Sequence, residues 1–215
     1  MSFQLSDLVV QALRRSAELD IALMDAIGAE SYRPFDGTPR SLASLSAASV
    51  ALEHGRAVRT LLADDLPTAA LSLTRLQHEA LTRAVWLLYA ATDLAIEKLT
   101  TPLSRDAEAA ASKLPMMAAM LKELDGKAPE PAMASLRAFK DNNSAALNSL
   151  VHGGIHALQR HAAGYPPQLV LGALRNANGL MLMTAMLLAI LAGRQDLVSK
   201  VGALQLMYAA DLPTR

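Results

Sequence analysis

The sequence predicts an all-α protein, a single helical bundle of about seven helices over residues 1–215. Three observations point there. Hydrophobic residues make up 52% of the chain but aromatics only 4%, and alanine and leucine, which lose least on entering a helix, dominate the remainder. Apolar positions recur at helical spacing along most of the chain, and no stretch alternates as a half-buried strand would. Proline- and glycine-rich breaks separate the helical stretches, and no self-similar period marks a solenoid.

The first helix spans about Leu5–Ile27, with Leu8, Val9, Ala12, Leu19, Leu23 and Ile27 near one side, and Gly28 stops it. Residues Ala29–Arg40 hold two prolines and one glycine and read as a loop, not a domain boundary, because one helix cannot build its own core. Ser41 is expected to cap a second helix, Leu42–Ala63. Its small face of Ser44, Ala47, Ala48, Ala51 and Gly55 either admits another helix closely or fills space. Asp64-Asp65-Leu66-Pro67 is a stop and restart, since proline suits a first helical turn and carboxylates complement it.

Pro67–Leu99 reads as the central helix. Leu73, Leu76, Ala80, Ala84, Leu87, Leu88, Ala91, Leu94 and Ala95 share one side, widened by Leu81 and Val85. The apolar arc covers roughly 200°, against ~100° for a surface helix, so other helices must surround it. The remaining wedge carries Arg75, His78, Glu79, Thr82, Arg83, Trp86 and Tyr89. Arg75–Glu79 and Glu79–Arg83 are spaced as i,i+4 ion pairs. The two aromatic residues there indicate that something covers part of this polar face.

Thr100–Pro102 breaks the chain, and Ser104–Lys113 and Met116–Leu124 read as short helices around Pro115. Asp125–Pro131 is a linker, followed by a helix from about Ala132 to Leu150 that runs on toward His161 if unbroken. On it Leu136, Phe139, Leu147, Leu150, Gly154 and Leu158 share the core side, and Asn148, His152 and His156 share the opposite one. Gly153-Gly154 would cost ~1 kcal/mol each inside a helix, so the helix either breaks there or admits a close neighbour. Gly164-Tyr165-Pro166-Pro167 ends this region. Gln168–Ala192 is the most apolar helix, Gly193 closes it, and Gln195–Ala210 completes the bundle.

Composition removes several classes of function. Lys+Arg and Asp+Glu are both 20, which gives no global electrostatic case for a nucleic-acid or membrane-surface binder. Cysteine is absent, which excludes thiol chemistry and disulfides. The first twenty residues lack the pattern of a signal peptide, and Leu180–Ala192 is shorter than the ~20 residues a membrane span needs. A cytoplasmic protein with no membrane association is expected. No P-loop, GxGxxG, GxSxG or SxxK occurs. His152 and His156 stand i,i+4 like a zinc pair, with His78, Glu79, Glu53 or His161 as third ligand, but HExxH is missing. No metal and no cofactor are expected.

The run Arg75-x-x-x-Glu79-x-x-x-Arg83-Ala84-x-Trp86, with Asn148-x-x-x-His152-Gly153-Gly154 later, resembles a family of uncharacterised all-helical bacterial proteins. The likeness extends from the second helix onward, including Leu114-Pro115-Met116 and Arg175-Asn176. More distantly the arrangement is similar to HEPN helical domains, many of which are RNases or toxins. Their motif is Arg-Asn, a short spacer and His, in which arginine and histidine meet a phosphate and asparagine orients the histidine. Asn148 and His152 match it, while Leu147 stands at the arginine position. The resemblance therefore implies a catalytic set of Asn148, His152 and Arg83, with Arg75, Glu79 and His156 as binding residues, acting on RNA or another phosphate-bearing ligand. In that reading Glu79 holds one of the two arginines and frees the other for the anion. Arginine suits bidentate phosphate contact, and histidine can exchange protons near neutral pH. The resemblance also implies a homodimer, as does the amount of apolar helical surface. The competing reading is a non-catalytic interaction or ligand-binding module in which the same residues satisfy one another as a polar network.

Overall fold

The computed structural model describes residues 6–28 and 33–214, and among these, ten α-helices and a terminal 3-10 turn follow one another with no strand. They are α1 (Asp7–Ile27), α2 (Pro39–Ala63), α3 (Pro67–Tyr89), α4 (Asp93–Thr100), α5 (Arg105–Ala111), α6 (Met117–Glu123), α7 (Glu130–Val151), α8 (Ile155–Ala163), α9 (Pro167–Leu191) and α10 (Gln195–Met207). The expected start of the first helix at Leu5 and the loop residues 29–32 lie outside the described residues.

The hairpin of α2 and α3 is the heart of the bundle. A three-residue turn joins the two helices, with Asp65 at φ 58° and Pro67 opening α3. The small face of α2 does admit a neighbour closely. Ser44, Ala48, Ala51 and Gly55 are buried, and a Cβ added at Gly55 would stand 2.6 Å from Gln77 Nε2 and from Met181 Cγ. Helix α9 packs on α1, α2, α3 and α10, and α7 and α6 cover another side of α3. Apolar side chains from every helix except α5 join one core cluster. Among the described residues α9 is the one helix long and apolar enough to cross a membrane, and 67% of its most apolar window is buried inside the protein. The far end of the bundle is tied by polar contacts. Ser16 donates to Asn178 Oδ1 (2.6 Å), Asn178 Nδ2 donates to the Asp211 carbonyl (3.0 Å), and Arg15 lies 4.5 Å over the Tyr208 ring.

Ten helices stand among the described residues against the seven or so expected: the two long helices through Ala90 and through Gly153 are each cut in two, and α5 and α6 on either side of Pro115 are separate helices. The central helix ends at Tyr89, not Leu99. Arg40, from the first turn of α2, donates through Nη1 to the carbonyls of Leu87 (2.9 Å) and Ala91 (2.8 Å), satisfying groups a helix end leaves open. Thr92 then caps α4 by accepting from Ala95 N–H (3.2 Å). The restart changes the phase, so Leu94, expected on the apolar arc, is 61% exposed. Leu8, expected on the inner side of α1, is also exposed. The cap of α2 is Thr38 and not Ser41. Pro39 takes the first helical position, Thr38 Oγ1 accepts from Ser41 N–H (3.3 Å), and Ser41 is buried within the helix.

Candidate functional site

The polar wedge of α3 is partly covered, and α7 is the main cover. His78, Thr82 and Trp86 are fully buried, while Arg75, Glu79, Arg83 and Tyr89 are half-buried. His78 fixes α7 across the wedge. Its ring stacks on Phe139 (centroids 4.4 Å apart, planes at 22°), and Nε2 lies 3.0 Å from the Leu136 carbonyl. A carbonyl only accepts, so Nε2 carries the hydrogen. Burial pushes the His78 pKa down to about 4, with the hydrogen bond to Leu136 opposing and the charges of Arg75 and Lys140 adding to the fall. His78, considered above as a metal ligand, is a fastener between α3 and α7. Among the described residues no three His, Asp or Glu side chains converge as a metal site would require.

Arg75 is fully committed. Its Nη2 stands 2.8 Å from Glu79 Oε1 and Nη1 3.4 Å from Oε2, while Nε donates to Asn148 Oδ1 at 2.5 Å. The structure thus brings Arg75, Glu79 and Asn148 together across the α3–α7 seam, joining residues 73 positions apart. Arg83, two turns along α3 from Arg75, makes no hydrogen bond or ion pair with any described residue. Burial lowers its pKa and the nearby Glu79 charge raises it again, yet a guanidinium stays cationic throughout the physiological range. Glu79 therefore holds Arg75 and reaches Arg83 only through its charge, leaving that guanidinium half-buried with no hydrogen bond or ion pair to a described residue.

The Asn148–His156 segment does break. Helix α7 stops at Val151 in a left-handed turn, with Gly153 at φ 64°, Gly154 N–H donating to the Ser149 carbonyl (2.7 Å) and Gly153 N–H to that of Leu150 (3.4 Å). This paired bonding is the Schellman end of a helix, in which glycine supplies the positive φ. Gly154 serves by its smallness, since a Cβ there would lie 2.6 Å from Ser149 Oγ, which accepts from His156 N–H (3.0 Å). His152 is the last residue of this helix end and His156 sits in the first turn of α8, so the two rings are not neighbours on one helix face. Both are exposed, and neither ring hydrogen-bonds to a described residue. The break also turns Leu158, expected on the core side, out to 68% exposure. Replacing Gly153 by alanine should cost about 1 kcal/mol, through backbone strain alone because no atom lies within 4 Å of the added carbon. Urea unfolding checks this, and an unchanged midpoint would contradict the turn.

Leu147, at the position where the HEPN pattern has arginine, is 7% exposed and packs in the core. Any cation beside Asn148 must come from another helix, and Arg75 does so.

Two of the cavities formed by the described residues bear on the site. One of about 520 Å³ lies between α7, α9, α10 and the C-terminal turn, near the paired Asn143 and Asn176 (3.1 Å). The other, a groove of about 620 Å³, runs between the first turns of α3 and the end of α8 and includes Thr68, Ser72, Arg160, His161 and Tyr165. The sequence reading missed this groove. Its one local signal is that Thr68 and Ser72 continue the Arg75–Glu79–Arg83 stripe at steps of three and four residues.

A family model described as a family of unknown function (DUF6988) matches residues 48–214, a span that contains α3, α7 and α8 whole. No curated protein and no solved structure matches the chain.

Proposed function

The chain belongs to this family of unknown function, and on that premise we propose that it binds a phosphate-bearing ligand, RNA in the first instance, at the α3–α7 seam. Arg83 is the anion contact, and Arg75, Glu79 and Asn148 are the frame that holds the seam in register. Helices α3 and α7 run antiparallel, so His152, past Asn148, stands toward the opposite end of the seam from Arg83 and would face a different phosphate of the same strand. The carrying observation is the contrast between the two arginines of α3. Arg75 is held by Glu79 and Asn148, whereas Arg83 is half-buried with no hydrogen bond or ion pair to a described residue. A cation in that state gains by meeting an anion, and its planar fork fits phosphate oxygens. The phosphate chemistry of this reading follows the HEPN resemblance, although the α3 cation beside Asn148 is Arg75, which Glu79 neutralises, and a homodimer belongs to the same reading.

Fluorescence anisotropy with a labelled single-stranded RNA tests it. Arg83→Gln is expected to weaken binding on the order of ten-fold, and His152→Ala by a smaller factor, with melting temperatures little changed. Binding by Arg83→Gln equal to that of the parent protein would refute the assignment. Metal-free cleavage that disappears in His152→Ala would extend the function to a ribonuclease; binding without cleavage would leave it a binding module.

The structural reading is favoured at one point. Arg75, Glu79 and Asn148 already satisfy one another, so Arg75→Ala should lower stability rather than remove an anion contact.

A further inference from the structure

The groove between α3 and α8 extends the polar stripe of α3 beyond the seam. Tyr165 is buried, and its hydroxyl shares a 2.8 Å hydrogen bond with that of Thr68, which fixes one wall. Arg160 and His161 line the groove from the last turn of α8, with Asp65 across from them on the turn before α3. Arg160 is half-buried and pairs with no described residue, although a carboxylate lines the same groove.

Thr68, Ser72, Arg75, Glu79 and Arg83 follow at steps of three or four residues and so form one line along α3. At ~1.5 Å per residue the line is about 22 Å long. Its middle cation, Arg75, is neutralised by Glu79. Positive side chains with no hydrogen bond or ion pair to a described residue therefore stand near both ends, Arg83 at one and Arg160 at the other. One phosphate cannot reach both. A stacked single strand advances about 3.4 Å per nucleotide, so about six nucleotides cover the distance.

We propose that the α3–α8 groove is a second phosphate subsite, so that the ligand is an extended oligonucleotide held at Arg83 and at Arg160 together. This rests on the phosphate-binding reading of the α3–α7 seam. Arg160 provides the distal phosphate contact and His161 lies beside it, while the Ser72 hydroxyl is spent on the Thr68 carbonyl (2.9 Å) and that of Thr68 on Tyr165. Tyr165 is too deeply buried to stack on a base, so the groove selects length and charge, not sequence.

Oligo-uridylates of two lengths, a dinucleotide bearing a 5′-phosphate and a decamer, separate the two ideas when titrated into the full chain. Arg160→Gln is expected to weaken the decamer on the order of five-fold, leave the dinucleotide unchanged, and flatten the salt dependence by about one phosphate contact. Arg160→Lys should recover part of the decamer affinity, which a loss of folding would not allow. Arg83→Gln should weaken both lengths. If Arg83→Gln weakens both while Arg160→Gln binds the decamer like the parent protein, the second subsite is wrong and the seam reading stands. If the parent protein binds neither length, the seam reading fails and the subsite with it.

Discussion

Replacing Trp86 by alanine is expected to destabilise the protein by about 3–5 kcal/mol, the largest effect of any single truncation considered. Trp86 is 2% exposed, the bulkiest side chain in the core, and it lies where α6 meets α3. Its indole Nε1 donates to Glu123 Oε2 at 2.7 Å, which ties the last residue of α6 to the central helix. Alanine removes the ring, leaves a void in the core, and frees α6 at that end. Trp86→Phe keeps most of the apolar volume and should cost about 1 kcal/mol for the lost hydrogen bond, plus a smaller packing loss. Typical domains unfold with roughly 5–15 kcal/mol, so the alanine variant should sit near the edge of folding. Trp86 is the only tryptophan, so unfolding must be followed by circular dichroism in urea. A change below 1 kcal/mol for Trp86→Ala would show that α6 does not pack on α3 as described.

Acid should unfold the protein partly through His78. The buried ring takes up a proton only near pH 4 in the folded state, against 6.5 for an ordinary histidine. Between these values the unfolded chain binds more protons than the folded one, so stability rises with pH. The contribution is complete above pH 6.5 and is lost as pH falls through about 4. Integrated over that window, the loss is about 2 kcal/mol by pH 5 and about 3 kcal/mol by pH 4. Carboxylates also titrate there, and His78→Gln separates the two. Glutamine keeps a donor for the Leu136 carbonyl and carries no titrating ring, so the variant should start less stable at pH 7 and then fall more gently. Parallel profiles of stability against pH for the two proteins would mean that His78 is not buried against Phe139.

Local features of the chain carried much of the fold. Gly28 at the end of α1, the Asp64–Pro67 turn and the apolar run of α9 are signals confined to a few residues, and the helices end or begin there. The break after Tyr89 is different in kind. Its stabilising donor, Arg40, lies 47 and 51 residues from the carbonyls it satisfies, and the flanking Ala90-Ala91 would continue a helix without strain. The pair Gly153-Gly154 allowed either a break or the close approach of another backbone, and the break occurs, with Gly154 crowded only by Ser149 of the same helix end. Leu94 and Leu158 were misplaced for one reason: each lies beyond a break that resets the helical phase.

For the site, the line of Arg75, Glu79 and Arg83 is legible because its spacing is local. Which arginine Glu79 holds is not, since both stand four residues away. The choice is made by Asn148, which reaches Arg75 from 73 residues further along the chain. The α3–α8 groove stayed hidden because its walls, Thr68 and Tyr165, are 97 residues apart.

The phosphate assignment at the seam meets its most direct test in a titration of ¹⁵N-labelled protein with a short single-stranded RNA, read at the Arg83 Nε–H and His152 ring resonances. Both should move along one saturation curve with a common midpoint, while the Trp86 indole signal stays in place. Arg83 and His152 resonances unmoved at saturating RNA, or shifts confined to His156 and the surface of α10, would contradict the account.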